Sequence, residues 1–212
     1  MQTMQTWPGL LMFCALLAAC GNDAKKTAST PGDGSNDGAS SATGTATSSG
    51  TVEGHALTAK YAAFATGTDQ QNGIYVVLSS QPTYCDNVAA GITHPNHTSV
   101  VLGLSTVASD ASTPRPSPGT FPIVTAAPEQ AGNQAQGAFY VSNDRCSNAL
   151  TNSKGLATGG SVTLSAVSNT RVAGTFSLKV GSDQVDGTFD TVFCQGLKDQ
   201  ITNNVSLTCE TP

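Results

Sequence analysis

Four segments in the carboxyl-terminal part of the chain alternate apolar and polar residues, and this pattern restricts the possible folds more than any other feature. They lie at residues 162–166, 172–180, 185–193 and 205–209. A period of two puts the apolar side chains on one face of an extended strand and the polar ones on the other. Antiparallel sheets with one buried and one solvated face carry this alternation. The pattern therefore predicts antiparallel β-structure.

Five earlier segments have the same character and are separated by short stretches rich in turn residues: 56–64, 74–79, 99–105, 121–125 and 138–142. Residues 84–90 are compatible with a single helical turn. The predicted fold class is all-β, a single antiparallel meander of about eight to nine strands. We expect a barrel rather than a sandwich, because consecutive strands usually pair and closure removes exposed edges. A sandwich is the alternative.

A short repeat predicts the register of one hairpin. Val172-Ala-Gly-Thr-Phe and Val185-Asp-Gly-Thr-Phe match at four of five positions and begin 13 residues apart. A two-residue turn with Gly181 first, as in a type II′ turn, would place the phenylalanine of each copy opposite the glycine of the other. Each ring would then cover a glycine, which offsets the weakness of glycine within a strand.

The amino-terminal residues carry an export signal. Residues 10–19 are an unbroken apolar run, about half the roughly 20 residues that a membrane-spanning helix needs and of the length of a signal-peptide core. Its end, Leu17-Ala-Ala-Cys20, resembles the lipobox of bacterial lipoproteins. The resemblance implies removal of residues 1–19 and attachment of diacylglyceryl and palmitate chains to Cys20. Several acyl chains anchor a protein stably in a membrane.

Two further details concern the resemblance. The first six residues, unlike those of the family, contain no Lys or Arg. Gly21 stands where the family places an Asp to retain a lipoprotein in the inner membrane. This implies a location in the cell envelope, lipid-anchored to the outer membrane, with the body facing either the periplasm or the outside. The chain also resembles uncharacterised β-rich lipoproteins of Gram-negative bacteria that end in a similar Gly-Thr-Phe hairpin followed by Cys, which supports the same fold class and location.

Residues 20–51 follow the signal peptide and form the predicted second region, a lipidated Cys and a linker. Of the 31 residues at 21–51, 23 are Gly, Ser, Thr or Ala, and none is Leu, Ile, Val, Met or aromatic. Such a segment buries too little apolar surface to offset the entropy of ordering it. We expect a disordered tether, followed by a β domain at 52–212.

Four cysteines lie in the predicted domain: Cys85, Cys146, Cys194 and Cys209. An even number in an exported chain favours two disulfides over free thiols or a zinc site. Of the three possible connectivities, the one expected here joins Cys194 to Cys209 across the last hairpin and leaves Cys85 to pair with Cys146. The other two connectivities are the alternatives.

The remaining polar clusters do not match a catalytic or metal-binding motif. His94 and His97 flank a proline in a predicted exposed loop, and His55 stands alone. Three carboxylates lie close in sequence at Asp183, Asp186 and Asp190, two of them on the polar face of one strand, where solvated surface is the simpler interpretation. The segment Thr113–Pro118 is expected to be a stiff loop between strands. We therefore expect no cofactor, no metal site and no enzymatic activity.

The functional expectation is a lipid-anchored, non-catalytic β domain that acts as a binding or interaction module. Its partners would be the membrane, through the anchor, and an unknown protein or small apolar ligand. The formal net charge of −5 argues against a nucleic-acid partner. The alternatives are a carrier that holds a small apolar ligand inside the barrel and a cell-envelope hydrolase.

Overall fold

A computed structural model describes residues 44–67, 72–125, 131–152 and 154–210. The predicted signal peptide, the lipobox with Cys20 and the first part of the predicted linker lie outside these ranges. The strands are β1 (Gly44–Val52), β2 (His55–Ala56), β3 (Tyr61–Thr66), β4 (Ile74–Ser79), β5 (Ile92–Thr93), β6 (Thr98–Val107), β7 (Gly119–Pro122), β8 (Gly132–Val141), β9 (Gly159–Val167), β10 (Arg171–Val180), β11 (Asp183–Phe193) and β12 (Thr208–Cys209). The helices are α1 (Tyr84–Ala89) and α2 (Gln195–Asn203).

Nine of the described strands form a nearly closed barrel, which confirms the predicted fold class. The order around the barrel is β1, β3, β4, β6, β8, β7, β9, β10, β11 and back to β1, with β2 added to β1. The order follows the sequence except that β7 and β8 exchange places, so the meander is interrupted once. β7 pairs with β9, whereas β8 pairs with β6.

The barrel closes between β7 and β8, the two strands that exchange places in the order. The other eight contacts around the ring are antiparallel, and a ring with an odd number of strands cannot alternate direction throughout. The contact between the β7 and β8 sides is accordingly parallel, with Ile123 beside Ala135 and the Val124 N–H donating to the Ala135 carbonyl at 2.8 Å. Further along β8, residues 155–157 pair with residues 137–139. These two segments pair with backbone N–H and C=O groups of β8 that would otherwise be exposed at the edge of the sheet.

The position of β1 corrects the predicted linker boundary. The predicted tether includes residues 44–51, yet these residues form most of a central strand between β11 and β3. Backbone hydrogen bonds to two neighbouring strands order a segment that has little apolar surface of its own. Small residues are required there: a Cβ on Gly44 would lie 2.3 Å from the Asp190 carbonyl oxygen. The folded domain thus includes residues from Gly44, not only from Val52.

The interior of the barrel is filled by apolar side chains. Inward positions alternate along each strand as the period of two predicts, and the buried cluster includes Phe64, Val76, Leu102, Phe121, Phe139, Leu164, Phe176, Leu178 and Phe189. Several of these side chains have no solvent exposure at all. The inside of this barrel is therefore a protein core packed like that of any globular domain.

The predicted β10–β11 hairpin is present in the predicted register. Phe176 lies opposite Gly187 and Gly174 opposite Phe189, with the turn at residues 181–182. Gly181 has φ 62°, as the first position of a type II′ turn requires. A Cβ on Gly187 would approach the Phe176 ring to 2.6 Å, and one on Gly174 would approach the Phe189 ring to 3.0 Å. Each ring thus occupies the space that a side chain on the opposite glycine would need.

The two helices cover part of the barrel exterior. They pack on the outward side chains of β3, β4, β6 and β8 through a second apolar cluster that contains Ala63, Ala65, Val77, Val101, Ala138, Leu197 and Ile201. The small alanines let the helices approach the sheet. The helices also approach each other closely, because a Cβ on Gly196 would lie 2.6 Å from the Ala89 nitrogen.

Helix α1 corresponds to the single helical turn expected near residues 84–90, but α2 was not predicted. The predicted strand at 205–209 is wrong for its first three residues, since only Thr208 and Cys209 form the short strand β12, which pairs in parallel with β5. The spacing of Cys194, Leu197 and Ile201 was the available helical signal. It was too short to outweigh the neighbouring alternation.

Candidate functional site

All four cysteines of the domain form disulfides, but the expected pairing is wrong. Cys85 is bonded to Cys194, and Cys146 to Cys209. The predicted hairpin between Cys194 and Cys209 does not exist, because α2 begins directly after Cys194 and carries the chain away from it. Instead, the first bond joins the start of α1 to the start of α2.

The second disulfide holds the end of the described chain. Cys209 lies in β12, whose pairing with β5 is extended by a hydrogen bond from the Thr208 N–H to the Gly91 carbonyl at 2.8 Å. Cys146 is almost fully buried, and its Sγ lies near the Thr93 carbonyl. The first disulfide therefore joins the two helices of the outer layer, and the second joins β12 to the loop that follows β8. None of these four cysteines is a free nucleophile.

The two histidines of the predicted exposed loop are both less exposed than expected: His94 is half-buried and His97 is buried. His97 is only 7% exposed, which corrects the expectation for that residue. Its Nδ1 lies 2.7 Å from the His94 carbonyl oxygen, to which the Gln81 side chain also donates at 3.0 Å. Burial lowers the pKa of His97, and the hydrogen bond to His94 opposes this only in part. Burial therefore favours the neutral form of His97, and its ring packs against the Tyr140 ring.

The three aspartates of β11 are engaged in surface contacts, as expected. Asp190 accepts two hydrogen bonds from Arg171, each 2.7 Å long, and this guanidinium holds the pKa of Asp190 below its usual range. Asp186 accepts from the Gln184 amide at 3.0 Å, and Asp183 accepts from the Glu53 N–H at 2.8 Å. Each of these carboxylates thus accepts hydrogen bonds from a neighbouring group of the domain itself.

The proline-rich segment is a loop between β6 and β7, as predicted. Its Arg115 side chain reaches the β9–β10 turn, where it donates to the Ser168 carbonyl at 2.6 Å and to the Asn169 side chain. Pro116 is buried. His55 is exposed in β2, also as predicted.

The exterior of the barrel that the helices leave uncovered is lined with hydroxyl groups. One threonine from each of five neighbouring strands stands at the same level of the sheet, and all five are exposed: Thr120, Thr163, Thr175, Thr188 and Thr47. Next to this row runs a second one, Ser161, Ser177, Asp186 and Ser49. We call these nine residues the hydroxyl face.

The hydroxyl face could not be identified from the sequence without the strand register. Each threonine occupies an outward position of its own strand, but the row forms only when five separate strands are aligned. Neighbouring strands lie about 4.8 Å apart, so the threonines are spaced at about that distance. Two pairs bond within the row: Thr47 to Thr188 at 2.7 Å and Thr120 to Thr163 at 3.2 Å.

No three His, Cys, Asp or Glu side chains of the described ranges come together as metal ligands. Neither α1 nor α2, the two helices of the described part, is long and apolar enough to cross a membrane.

Comparison of the chain with protein-family models, with curated proteins and with solved structures gave no match.

Proposed function

We propose that this protein is a lipid-anchored lipoprotein of the outer membrane whose β domain is a non-catalytic interaction module. Cys20, at the end of the lipobox, would carry the lipid, and the Gly-, Ser-, Thr- and Ala-rich residues up to Gly44 would serve as a spacer. Two disulfides in the domain support export, because disulfides persist in oxidising compartments outside the cytoplasm.

The division of the barrel exterior is the observation that carries the proposal of an interaction module. The side formed by β3, β4, β6 and β8 is covered by two helices that a disulfide holds together. The side formed by β7, β9, β10, β11 and β1 has no covering element among the described residues and presents the hydroxyl face. An anchored domain with one sealed and one open side is suited to contact a partner through the open side.

The packed interior weighs against the carrier alternative. A carrier needs a cavity of about 300 Å³ or more for a drug-sized ligand, whereas phenylalanine, leucine and valine side chains fill this barrel. The engagement of Asp186 and Asp190 with their own neighbours likewise weighs against a hydrolase built on the β11 carboxylates.

The lipid anchor can be tested by replacing Cys20 with serine in the full chain and labelling cells with radioactive palmitate. We expect the wild-type protein to take up label and to sediment with outer membranes, because several acyl chains give stable insertion. Cys20→Ser should take up no label. The matched control is Cys14→Ser, which changes the other amino-terminal cysteine and should leave labelling intact. Label on the Cys20→Ser protein would contradict the proposed anchor.

The interaction side can be tested with a photo-activated cross-linking residue introduced in living cells. One variant carries it at Thr175, in the centre of the hydroxyl face, and a second at Thr202, exposed on α2 at the covered side. We expect cross-linked species of higher mass from position 175 and none from position 202. Cross-links from position 202 alone would show that the partner contacts the helices, and the absence of cross-links from both would contradict an interaction module.

A further inference from the structure

We infer that this chain, once exported, is a substrate of a thiol–disulfide isomerase, an enzyme whose reactive thiol rearranges wrongly paired disulfides. The inference rests on the proposed function in one respect, namely that the chain is oxidised outside the cytoplasm. It goes beyond that function because it names an enzyme that acts on the protein before the domain is folded. It is carried by the connectivity of the two disulfides, the order of their cysteines in the chain and the burial of their sulfurs.

The two native disulfides are interlaced along the chain. The first cysteine of the domain is bonded to the third, Cys85 to Cys194, and the second to the fourth, Cys146 to Cys209, which closes loops of 109 and 63 residues. Bonds between consecutive cysteines would close loops of only 61 and 15 residues. The probability that a flexible loop closes falls with about the 3/2 power of its length, so an unfolded chain favours the consecutive pairing about 20-fold over the native one.

The order of export favours the same wrong pairing. The barrel is complete only when β1 has paired with β11, which ends at Phe193. Cys85 and Cys146 precede β11, so both reach the oxidising compartment while their native partners still lie further along the chain. They are therefore free to join before the elements that would separate them have formed. Cys194 and Cys209 are then left to pair with each other.

The wrong pairing has no internal means of correction. It consumes all four cysteines of the domain, and exchange requires a thiolate that attacks a disulfide sulfur. The chain has two further cysteines, Cys14 and Cys20. The first leaves with the proposed signal peptide, and the second would hold its lipid through the sulfur. The thiol must therefore come from outside the chain, and an isomerase supplies one.

The exchange is balanced and needs no net oxidant. The isomerase thiolate attacks the Cys209 sulfur of the Cys194–Cys209 bond, which forms a mixed disulfide and releases the Cys194 thiolate. This thiolate attacks Cys85 in the Cys85–Cys146 bond, forms the first native disulfide and releases the Cys146 thiolate. Cys146 then attacks Cys209 in the mixed disulfide, which forms the second native bond and returns the isomerase thiolate. Two disulfides are present before and after the exchange.

Burial protects the native pairing from the same attack. Cys194 is fully buried and Cys146 is 1% exposed, so each native disulfide has one sulfur that is shielded from an external thiol. Cys194 also begins α2, where its Sγ accepts a hydrogen bond from the Leu197 N–H at 3.3 Å. The wrong pairs form in an unfolded chain and lack this shielding. Exchange therefore proceeds toward the native pairing and stops there.

The test uses the full chain with Cys14 and Cys20 replaced by serine, so that the four cysteines of the domain are its only thiols. The reduced, unfolded protein is diluted from urea into a non-ionic detergent with diamide, an oxidant that carries no thiol. After the diamide has been removed, one sample receives nothing, one a catalytic amount of reduced protein disulfide isomerase, and one the same enzyme with alkylated active-site cysteines. Tryptic digestion without reduction and mass spectrometry identify the joined cysteines.

We expect diamide alone to give native pairing in less than about a tenth of the molecules, because of the 20-fold bias in loop closure. The active isomerase should raise the native fraction at least about fivefold, whereas the alkylated enzyme should leave it unchanged. The matched control adds C146A/C209A to the same chain. It has one possible bond, Cys85 to Cys194, and should form it equally in all three samples.

Native pairing as the main product of diamide alone would overturn the inference, because the reduced chain would then select its partners by folding first. Wrong pairs that the active isomerase leaves unchanged, or that the alkylated enzyme corrects equally well, would also overturn it. Palmitate labelling and cross-links at position 175 would still stand in those cases, so the proposed function is judged separately.

Discussion

Replacement of Cys85 and Cys194 together by alanine is expected to lower the free energy of unfolding by about 4–5 kcal/mol. The two cysteines are 109 residues apart, and a cross-link that closes so long a loop removes much of the entropy of the unfolded chain. The same change at Cys146 and Cys209, 63 residues apart, is expected to cost slightly less, about 4 kcal/mol. Urea melts of the full-length proteins, compared with wild type under oxidising conditions, measure both differences.

Digestion with trypsin without reduction tests the pairing directly. The four cysteines fall in four different tryptic peptides, 61–145, 146–154, 180–198 and 199–212, since the Arg115–Pro116 bond resists cleavage. Mass spectrometry should find the first peptide joined to the third and the second joined to the fourth. A species joining 180–198 to 199–212 would show the hairpin bond that the sequence suggested. In the urea melts, a decrease in unfolding free energy below about 1 kcal/mol in both double variants would contradict a stabilising role for these disulfides.

Replacement of Phe189 by alanine is expected to destabilise the domain by about 3–5 kcal/mol, the usual cost of removing a buried phenylalanine. The side chain is 3% exposed and its ring occupies the space above Gly174 on the neighbouring strand. Its loss leaves a cavity in the barrel core and uncovers a glycine that contributes little to the strand. Denaturant melts followed by far-ultraviolet circular dichroism measure the change.

The control for this prediction is Thr175→Ala, one residue along β10 from the same glycine but directed outward. It should cost less than about 1 kcal/mol, because it removes neither core volume nor a hydrogen bond between described residues. A loss below 1 kcal/mol for Phe189→Ala, or an equal loss for the two variants, would contradict the packing of ring on glycine.

Much of the barrel could be predicted because its determinants are local. The period of two in β9, β10 and β11 assigns each side chain to the core or the surface without reference to any other strand. In the β10–β11 hairpin the turn is only two residues long, so turn geometry fixes the pairing of Phe176 with Gly187 within a single short segment. Short-range patterns of this kind do not depend on how the remaining chain is arranged.

Features that depend on distant neighbours were predicted wrongly or missed. Residues 44–51 have one apolar side chain, Ala46, and they form a strand because they pair with the edges of β11 and β3. The nine residues of α2 contain few helix signals of their own, and packing against Ala89 and the β-sheet stabilises the helix. The disulfide partners followed from this helix, because it separates Cys194 from Cys209 and leaves Cys194 beside Cys85.

Local sequence patterns are sufficient to predict most barrel strands other than β1, the direction of their side chains, the β10–β11 register and the presence of paired cysteines. The sequence also contains the lipobox-like segment Leu17-Ala-Ala-Cys20, on which the proposed anchor rests. The tertiary structure alone decided the exchange of β7 and β8 at the closure, the disulfide partners and the alignment of five threonines into one row. The physical reason is the range of the interactions: side-chain periodicity and turn geometry act within a few residues, whereas ring closure, cysteine proximity and cross-strand rows arise only when segments far apart in the chain share the same backbone hydrogen bonds.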